Sequence, residues 1–266
     1  MIKLIASDVD GTLIPEGSPA LHPEFQKVIQ KLKEKGIVFA AASGRSYGSV
    51  RSVFQESAED VYFISNNGAV VRYQDETLFM RSIEEATAER LLEYFREKRT
   101  ERNAFFLMTS QEQDFTECDD EELVSWIRDG YKVTLSVLPD VSVVKKPFVK
   151  MSIYFGDIDA AEMLDEAKER FGDELAVLIS GAHWIDFVHK DAEKGNALAQ
   201  LQKQLGITRE ETMAFGDNYN DISLLLAAEE SYAVSEARDA VKEVVKYILP
   251  DTTTATVLDV LKGLLV

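Results

Sequence analysis

Ile2-Lys3-Leu4-Ile5-Ala6-Ser7-Asp8-Val9-Asp10-Gly11-Thr12-Leu13 is an apolar run that ends on two carboxylates separated by one residue and followed at once by a glycine. Ile2, Leu4, Ile5 and Ala6 are apolar almost without interruption, the pattern of a strand buried on both faces of a parallel sheet. Such a strand delivers Asp8 and Asp10 at its carboxyl end, where open α/β sheets place their ligands. Residues i and i+2 of a strand point the same way, but the chain turns here, so the sheet can fix Asp8 while Asp10 arches over it. Gly11 permits a backbone conformation that a side chain would obstruct, and Thr12 can satisfy loop amides. Taken alone, the pair is compatible with a polar turn and with three kinds of chemistry. Carboxylates can hold a hard cation such as Mg²⁺, attack phosphorus, or transfer protons.

Outward from this segment, residues 22 to 35 read as a helix closed by Gly36, and Ile37 to Ala42 as a second buried strand, which begins a βαβ rhythm. Ser46 to Phe54 reads as a helix and Val61 to Ile64 as a third strand. Ser65-Asn66-Asn67-Gly68 and a hairpin through Val70, Val71 and Leu78 follow. After residue 80 the rhythm changes. Ser82-Ile83-Glu84-Glu85 matches a capping box opening a helix to about Lys98, and Asn103 to Thr109 reads as a strand. Residues 112 to 122 hold seven acids and no base, and read as a solvated loop leading into an acidic first helical turn. Leu123, Val124, Trp126 and Ile127 give that helix its buried stripe, with Gly130 at its end. Phe148 to Phe155 alternates as a half-covered strand, Asp159 to Phe171 is helical, and short strands fall near 175 to 180 and 183 to 188.

The α/β rhythm then resumes, with a helix at 193 to 205, a strand from Thr212 to Phe215, a helix at 219 to 228, a strand from Tyr232 to Val234 and a last helix from Ala255 to Leu265. The expected fold is α/β: a Rossmann-like parallel-sheet core built from 1–80 and 188–266, interrupted by an α+β domain over 81–187 with a mostly antiparallel sheet.

The chain has 266 residues, enough for two cores at 45% hydrophobic content. Its formal charge of −18 opposes broad affinity for nucleic acid or an anionic membrane, so an anionic substrate needs local cations. Cys118 is the sole cysteine, which excludes an intrachain disulfide, and its acidic surroundings disfavour a thiolate. The first strand begins at residue 2, with no place for a signal peptide, and no apolar run reaches the length of a membrane span. A cytoplasmic location is expected.

Three further segments bring partners for the carboxylates. Ser43-Gly44-Arg45 follows the second buried strand and precedes a helix, so a hydroxyl, backbone amides and a helix N-terminus can face an anion from the same sheet edge. Lys194-Gly195 opens the first helix after the inserted domain, where the lysine can serve as a point charge. Gly216-Asp217-Asn218-Tyr219-Asn220-Asp221 follows another buried strand with more acids and amides than a helix cap needs. Asp217 can complete a metal site, Asn220 can donate to a phosphate, and Asp221 can orient Lys194 or a metal ligand.

These four segments, in this order, resemble the haloacid dehalogenase superfamily, and within it the Cof-type phosphatases (subfamily IIB) that carry a large C2-type cap before the lysine motif. Asp8-Val9-Asp10-Gly11-Thr12-Leu13 resembles motif one, Ser43 with Gly44-Arg45 motif two, Lys194 motif three, and Gly216-Asp217-x-x-Asn220-Asp221 motif four; Asn66-Asn67-Gly68-Ala69 resembles the loop after the third strand. The resemblance implies that Asp8 is the nucleophile and a Mg²⁺ ligand. Asp10 is implied as the general acid and base, its backbone carbonyl also binding the metal. Val9, Ser43, Gly44, Lys194 and Asn220 would hold the phosphate, and Asp217 the metal. Thr12, Arg45, Asn67 and Asp221 take supporting or substrate-side places. Two departures stand out: Ser235-Glu236-Ala237-Arg238 where the family commonly has Met-x-Asn-Ala, and Asp251-Thr252 where Asp-Gly is frequent. The expectation is a Mg²⁺-dependent phosphomonoesterase acting on a small phosphorylated metabolite, foremost a sugar phosphate, through an aspartyl phosphate. Its rivals are a phosphomutase of the same superfamily and a receiver-like module phosphorylated without turnover.

Overall fold

A computed structural model of the protein describes residues 1–14, 20–131, 133–145, 147–156, 158–250 and 255–265. In chain order the first segment contains β1 (Leu4–Asp8), α1 (Phe25–Glu34), β2 (Val38–Ala42), α2 (Tyr47–Phe54), β3 (Val61–Ser65), β4 (Val70–Tyr73) and β5 (Glu76–Met80). The middle contains α3 (Glu85–Arg102), β6 (Phe105–Thr109), β7 (Asp114–Thr116), α4 (Glu121–Tyr131), β8 (Leu135–Val137), β9 (Lys150–Tyr154), α5 (Ala160–Phe171), β10 (Leu175–Gly181) and β11 (Trp184–His189). The last contains α6 (Lys194–Leu205), β12 (Thr212–Gly216), α7 (Ile222–Leu226), β13 (Glu230–Ala233), α8 (Asp239–Lys242), β14 (Tyr247–Ile248) and α9 (Ala255–Gly263).

These elements form two compact units, Met1–Met80 with Glu193–Val266, and Arg81–Ala192. In the first, the strand order is β14-β13-β12-β1-β2-β3-β4-β5. The six strands from β14 to β3 are mutually parallel, and β4 and β5 close the other edge as an antiparallel hairpin. All five residues of β1 are buried, as its unbroken apolar character requires in the centre of a covered sheet. α1 presents Phe25, Val28, Ile29 and Leu32 at helical spacing to a core shared with Phe39, Phe54 and Phe63. From β1 the chain builds outward through β2 and β3, and on its return places β12 on the other flank of β1. The strand order therefore reverses between β1 and β12. That reversal brings the residues after Asp8 and after Gly216 together at one carboxyl edge.

In the second unit the order is β10-β11-β9-β6-β7-β8, antiparallel except for the β7–β8 pair. The period of two along each strand sorts neighbours onto opposite faces. Phe106, Met108, Met151, Ile153, Ile185 and Phe187 pack with Leu91 and Phe95 of α3 and with Ala167 and Phe171 of α5. Phe105, Tyr154 and Trp184 instead join Val124 and Ile127 of α4.

Several local expectations change. The Ser82 capping box does not form: α3 starts at Glu85 without a side-chain cap, and it continues past Lys98 to Arg102 before Asn103 (φ 53°) ends it. Lys98 is buried within the helix, with Glu101 and Glu166 at 2.9 Å. The acidic stretch contains the buried strand β7. Its Asp114 accepts from Thr109 Oγ1 at 2.5 Å, so a carboxylate that reads as solvated lies inside the sheet. α4 runs through Gly130 to Tyr131. Residues 219 to 228 divide into a tight turn, Tyr219–Asp221, and the short α7. The chain rejoins the first unit at Glu193 rather than 188, because β11 stays paired with β10 as far as His189. Asp251 and Thr252 lie outside the described residues. Among the described residues no helix is long and apolar enough to cross a membrane.

Candidate active site

The carboxyl edge of the first sheet gathers the ends of β1, β2, β3 and β12 and the first turn of α6. Lys194, the first residue of α6, is 1% exposed, and its ammonium is paired with two carboxylates. Nζ donates to Asp8 Oδ1 and to Asp221 Oδ1, both at 2.6 Å. Burial alone would push the lysine pKa down, but the two carboxylates outweigh it and hold the group above its usual range, so it is a fixed cation. Asp8 is pushed well above the usual carboxylate range by burial first and then by Asp221, with Lys194 pulling the other way. Asp221 is wholly buried. Its Oδ1 takes the Lys194 bond, and its Oδ2 accepts the backbone N–H groups of Asp217 and Asn218 at 3.0 Å each. It braces the lysine and the turn that carries Asp217.

Asp217 sits above Gly11. A Cβ on Gly11 would lie 2.5 Å from Asp217 Oδ2, and the glycine has φ +91°, so close approach and backbone conformation both exclude a side chain here. Thr12 Oγ1 donates to Asp217 Oδ1 at 2.8 Å. That bond lowers the Asp217 pKa, but burial is stronger and the net shift is upward.

One carboxylate oxygen from each of Asp8, Asp217 and Asp221 falls within a 4.8 Å cluster. The donor chemistry fits a hard divalent cation. Asp8 Oδ2 is buried with no hydrogen-bond partner, and an ionised oxygen in that state costs several kcal/mol (order of magnitude) unless a charge compensates it. Asp8 and Asp217 can supply oxygens to Mg²⁺, whereas both Asp221 oxygens already serve Lys194 and the turn amides.

Asp10 stands apart from that cluster. Its half-exposed carboxylate is gripped by Arg45 in a two-bond fork, Nε to Oδ2 at 2.8 Å and Nη2 to Oδ1 at 2.5 Å. Ser43 is buried, and its Oγ accepts the Arg45 N–H at 3.1 Å. Val9 is buried in the turn, where its carbonyl accepts the Ile14 N–H at 2.8 Å. Gly44 lies beneath the Asn67 side chain, whose Oδ1 would be 3.0 Å from a Cβ at position 44. Asn220 is exposed and donates Nδ2–H to Asn67 Oδ1 at 3.0 Å.

Two supporting contacts have no local sequence signal. Gly68 (φ +98°) packs so tightly on the start of α6 that a Cβ would be 2.3 Å from the Glu193 carbonyl oxygen. Ser223 Oγ accepts the Gly195 N–H at 3.1 Å, which fixes the helix turn carrying Lys194. Both contacts join residues far apart in the chain.

Comparison with known proteins gives the family of the chain. The family model for haloacid dehalogenase-like hydrolases matches residues 5–261. A 5-amino-6-(5-phospho-D-ribitylamino)uracil phosphatase of Escherichia coli, YbjI, is 27% identical, over 99% of this chain and 96% of its own length. An HMP-PP phosphatase of Cronobacter sakazakii is 28% identical, over 89% and 85%. The crystal structure of TM0651 from Thermotoga maritima superposes with a TM-score of 0.86 at 26% identity, covering 99% of this chain and 97% of that one. Four motif segments on one sheet edge and a family match across nearly the whole chain make this protein a phosphatase of the haloacid dehalogenase-like hydrolase family, of its Cof type.

Proposed function

We propose that the protein hydrolyses a small phosphorylated metabolite, foremost a sugar phosphate, through a phosphoryl group carried on Asp8. The observation that carries this reading is the buried Asp8, held by Lys194 on one oxygen and left without a partner on the other. Mg²⁺ held by Asp8 and Asp217, with the Asp10 backbone carbonyl, would neutralise charge on the phosphoryl oxygens. Lys194, Ser43, Asn220 and the amides of Val9 and Gly44 would hold the rest of the phosphoryl group.

In the first half-reaction an Asp8 oxygen forms a bond to phosphorus as the bond to the leaving oxygen breaks, and Asp10 gives that oxygen its proton. In the second, Asp10 takes a proton from water, whose oxygen attacks phosphorus, and the bond to Asp8 breaks to release orthophosphate. Arg45 holds both Asp10 oxygens and so fixes the direction of the carboxylate, while each oxygen keeps a further lone pair that can carry the proton. The second unit, Arg81–Ala192, is read as the cap domain. Names of relatives support the substrate class: YbjI and the HMP-PP enzyme are named for small phosphorylated compounds.

The test is phosphate release from an aryl phosphate and from a panel of sugar phosphates under Mg²⁺, for wild type and Asp8→Asn. Multiple turnovers with free phosphate in wild type and none in the variant are expected. Wild-type rates in Asp8→Asn overturn the nucleophile assignment. Isomerised sugar phosphate without free phosphate indicates a mutase, and a stable stoichiometric phosphoprotein a signalling module.

A further inference from the structure

The loop after β3 runs through three successive residues in the left-handed region, Asn66 (φ 50°), Asn67 (φ 56°) and Gly68 (φ 98°). Asparagine tolerates that conformation better than most residues, and here it places one carboxamide between two phosphate-binding segments. The Asn67 backbone N–H donates to the Ser43 carbonyl at 3.1 Å, and the Asn67 side chain lies over Gly44. On the other side, Asn67 Oδ1 accepts one N–H of Asn220 at 3.0 Å.

A carboxamide is two-faced: rotated by half a turn, it presents a carbonyl oxygen in place of an N–H. An Asn220 free to rotate could therefore turn an acceptor toward an anionic ligand and repel it. With one N–H engaged by Asn67, its other N–H remains a donor. The acceptor is also neutral. An aspartate at position 67 would offer the same oxygen but add negative charge next to Asn220, in a chain that already carries −18.

We infer that Asn67 is a positioning residue which sets the polarity of the Asn220 carboxamide, so that an N–H and not a carbonyl meets the phosphoryl group. This rests on the reading of Asn220 as a phosphate-binding residue, and the test separates the two. Asn67→Gly keeps the backbone conformation accessible and removes the acceptor together with the side chain's cover over Gly44. It is expected to raise KM and the inhibition constant of inorganic phosphate by about tenfold, the scale of one hydrogen bond to a charged group, with a smaller change in kcat and an unchanged Mg²⁺ requirement. Asn220→Ala should show at least the same loss, and the double variant should be no worse than Asn220→Ala, because the effect of Asn67 passes through Asn220. A merely structural role for the loop would add its loss on top of Asn220→Ala. Full additivity, or unchanged phosphate inhibition in Asn67→Gly, overturns the inference. Unchanged inhibition in Asn220→Ala instead overturns the reading of Asn220 itself.

Discussion

Lys194→Met is the most revealing single perturbation. In the native fold the ammonium makes two charge-assisted bonds of 2.6 Å to carboxylates that are themselves buried. Each such bond contributes about 1.5–3 kcal/mol, and removing one partner of a buried charge group typically costs about 3–5 kcal/mol because the remaining charge is uncompensated. The loss is unevenly placed. Asp221 keeps two backbone N–H donors, whereas Asp8 has no hydrogen-bond partner on Oδ2 and loses the one on Oδ1. A destabilisation of about 4 kcal/mol is therefore expected near neutral pH, a large share of the about 5–15 kcal/mol that holds a domain folded. Urea denaturation followed by far-UV circular dichroism, without added metal, measures it. Tryptophan fluorescence is the wrong probe, since Trp126 and Trp184 both belong to the second unit. The pH dependence has a definite sign. A carboxyl whose folded pKa lies above its unfolded value carries its full penalty above the folded value, and the penalty disappears as pH falls through the folded value to the unfolded one. Burial and Asp221 already push Asp8 upward in the wild type, and losing Lys194 removes a counterweight, so the deficit should shrink on acidification. Lys194→Met/Asp8→Asn should recover part of it. A neutral-pH loss under about 1 kcal/mol, the scale of an exposed pair, or a deficit that grows in acid, would refute the reasoning.

Arg45→Ala removes a half-exposed pair, so stability should change by less than about 1 kcal/mol, but Asp10 loses the fork that orients its carboxylate and catalysis should fall selectively. Alkyl phosphates, whose leaving oxygen needs a proton, should lose at least about tenfold more rate than an activated aryl phosphate; equal losses would mean that Arg45 binds phosphate and does not govern Asp10. Gly11→Ala must relieve both a φ of +91° and a 2.5 Å approach to Asp217 Oδ2, so it should destabilise by about 1–3 kcal/mol and weaken Mg²⁺ activation, and a wild-type melting temperature would contradict the close contact. Asp140 is held low, at about 2, by the hydroxyl and amide of Ser142 and then by Arg96. Its stabilising contribution is present above the ordinary aspartate value and lost as pH falls toward about 2, so its carboxyl resonance should titrate near there and move upward in Arg96→Gln; an ordinary midpoint in wild type would contradict this.

The first strand and its Asp8–Asp10 ending were legible because unbroken apolar character and a following glycine are local properties, and the same holds for the strands ending at Ala42, Ser65 and Gly216. The antiparallel middle was legible as alternation, but β7 was not, since Asp114 becomes a strand residue only when Thr109 and the flanking strands enclose it. Ser82 shows the opposite failure. Its spacing to Glu85 meets the capping pattern, yet the helix starts later, because a cap depends on the path of the incoming chain.

For the site, the sequence by itself determined which residue types stand at strand ends and helix starts, and in what order. It could assign jobs only by resemblance, because a carboxylate's chemistry depends on neighbours far away in the chain, 186 positions for Asp8 and Lys194 and 205 for Asp217 and Thr12. Tertiary structure alone decided that Lys194 bridges Asp8 and Asp221, that Asp221 faces inward to the turn amides, that Asp10 is clasped by Arg45, and that Asn67 holds Asn220. The physical reason is the reversal of strand order between β1 and β12: it joins distant segments at one buried edge, where low polarity makes each charge depend on its partner.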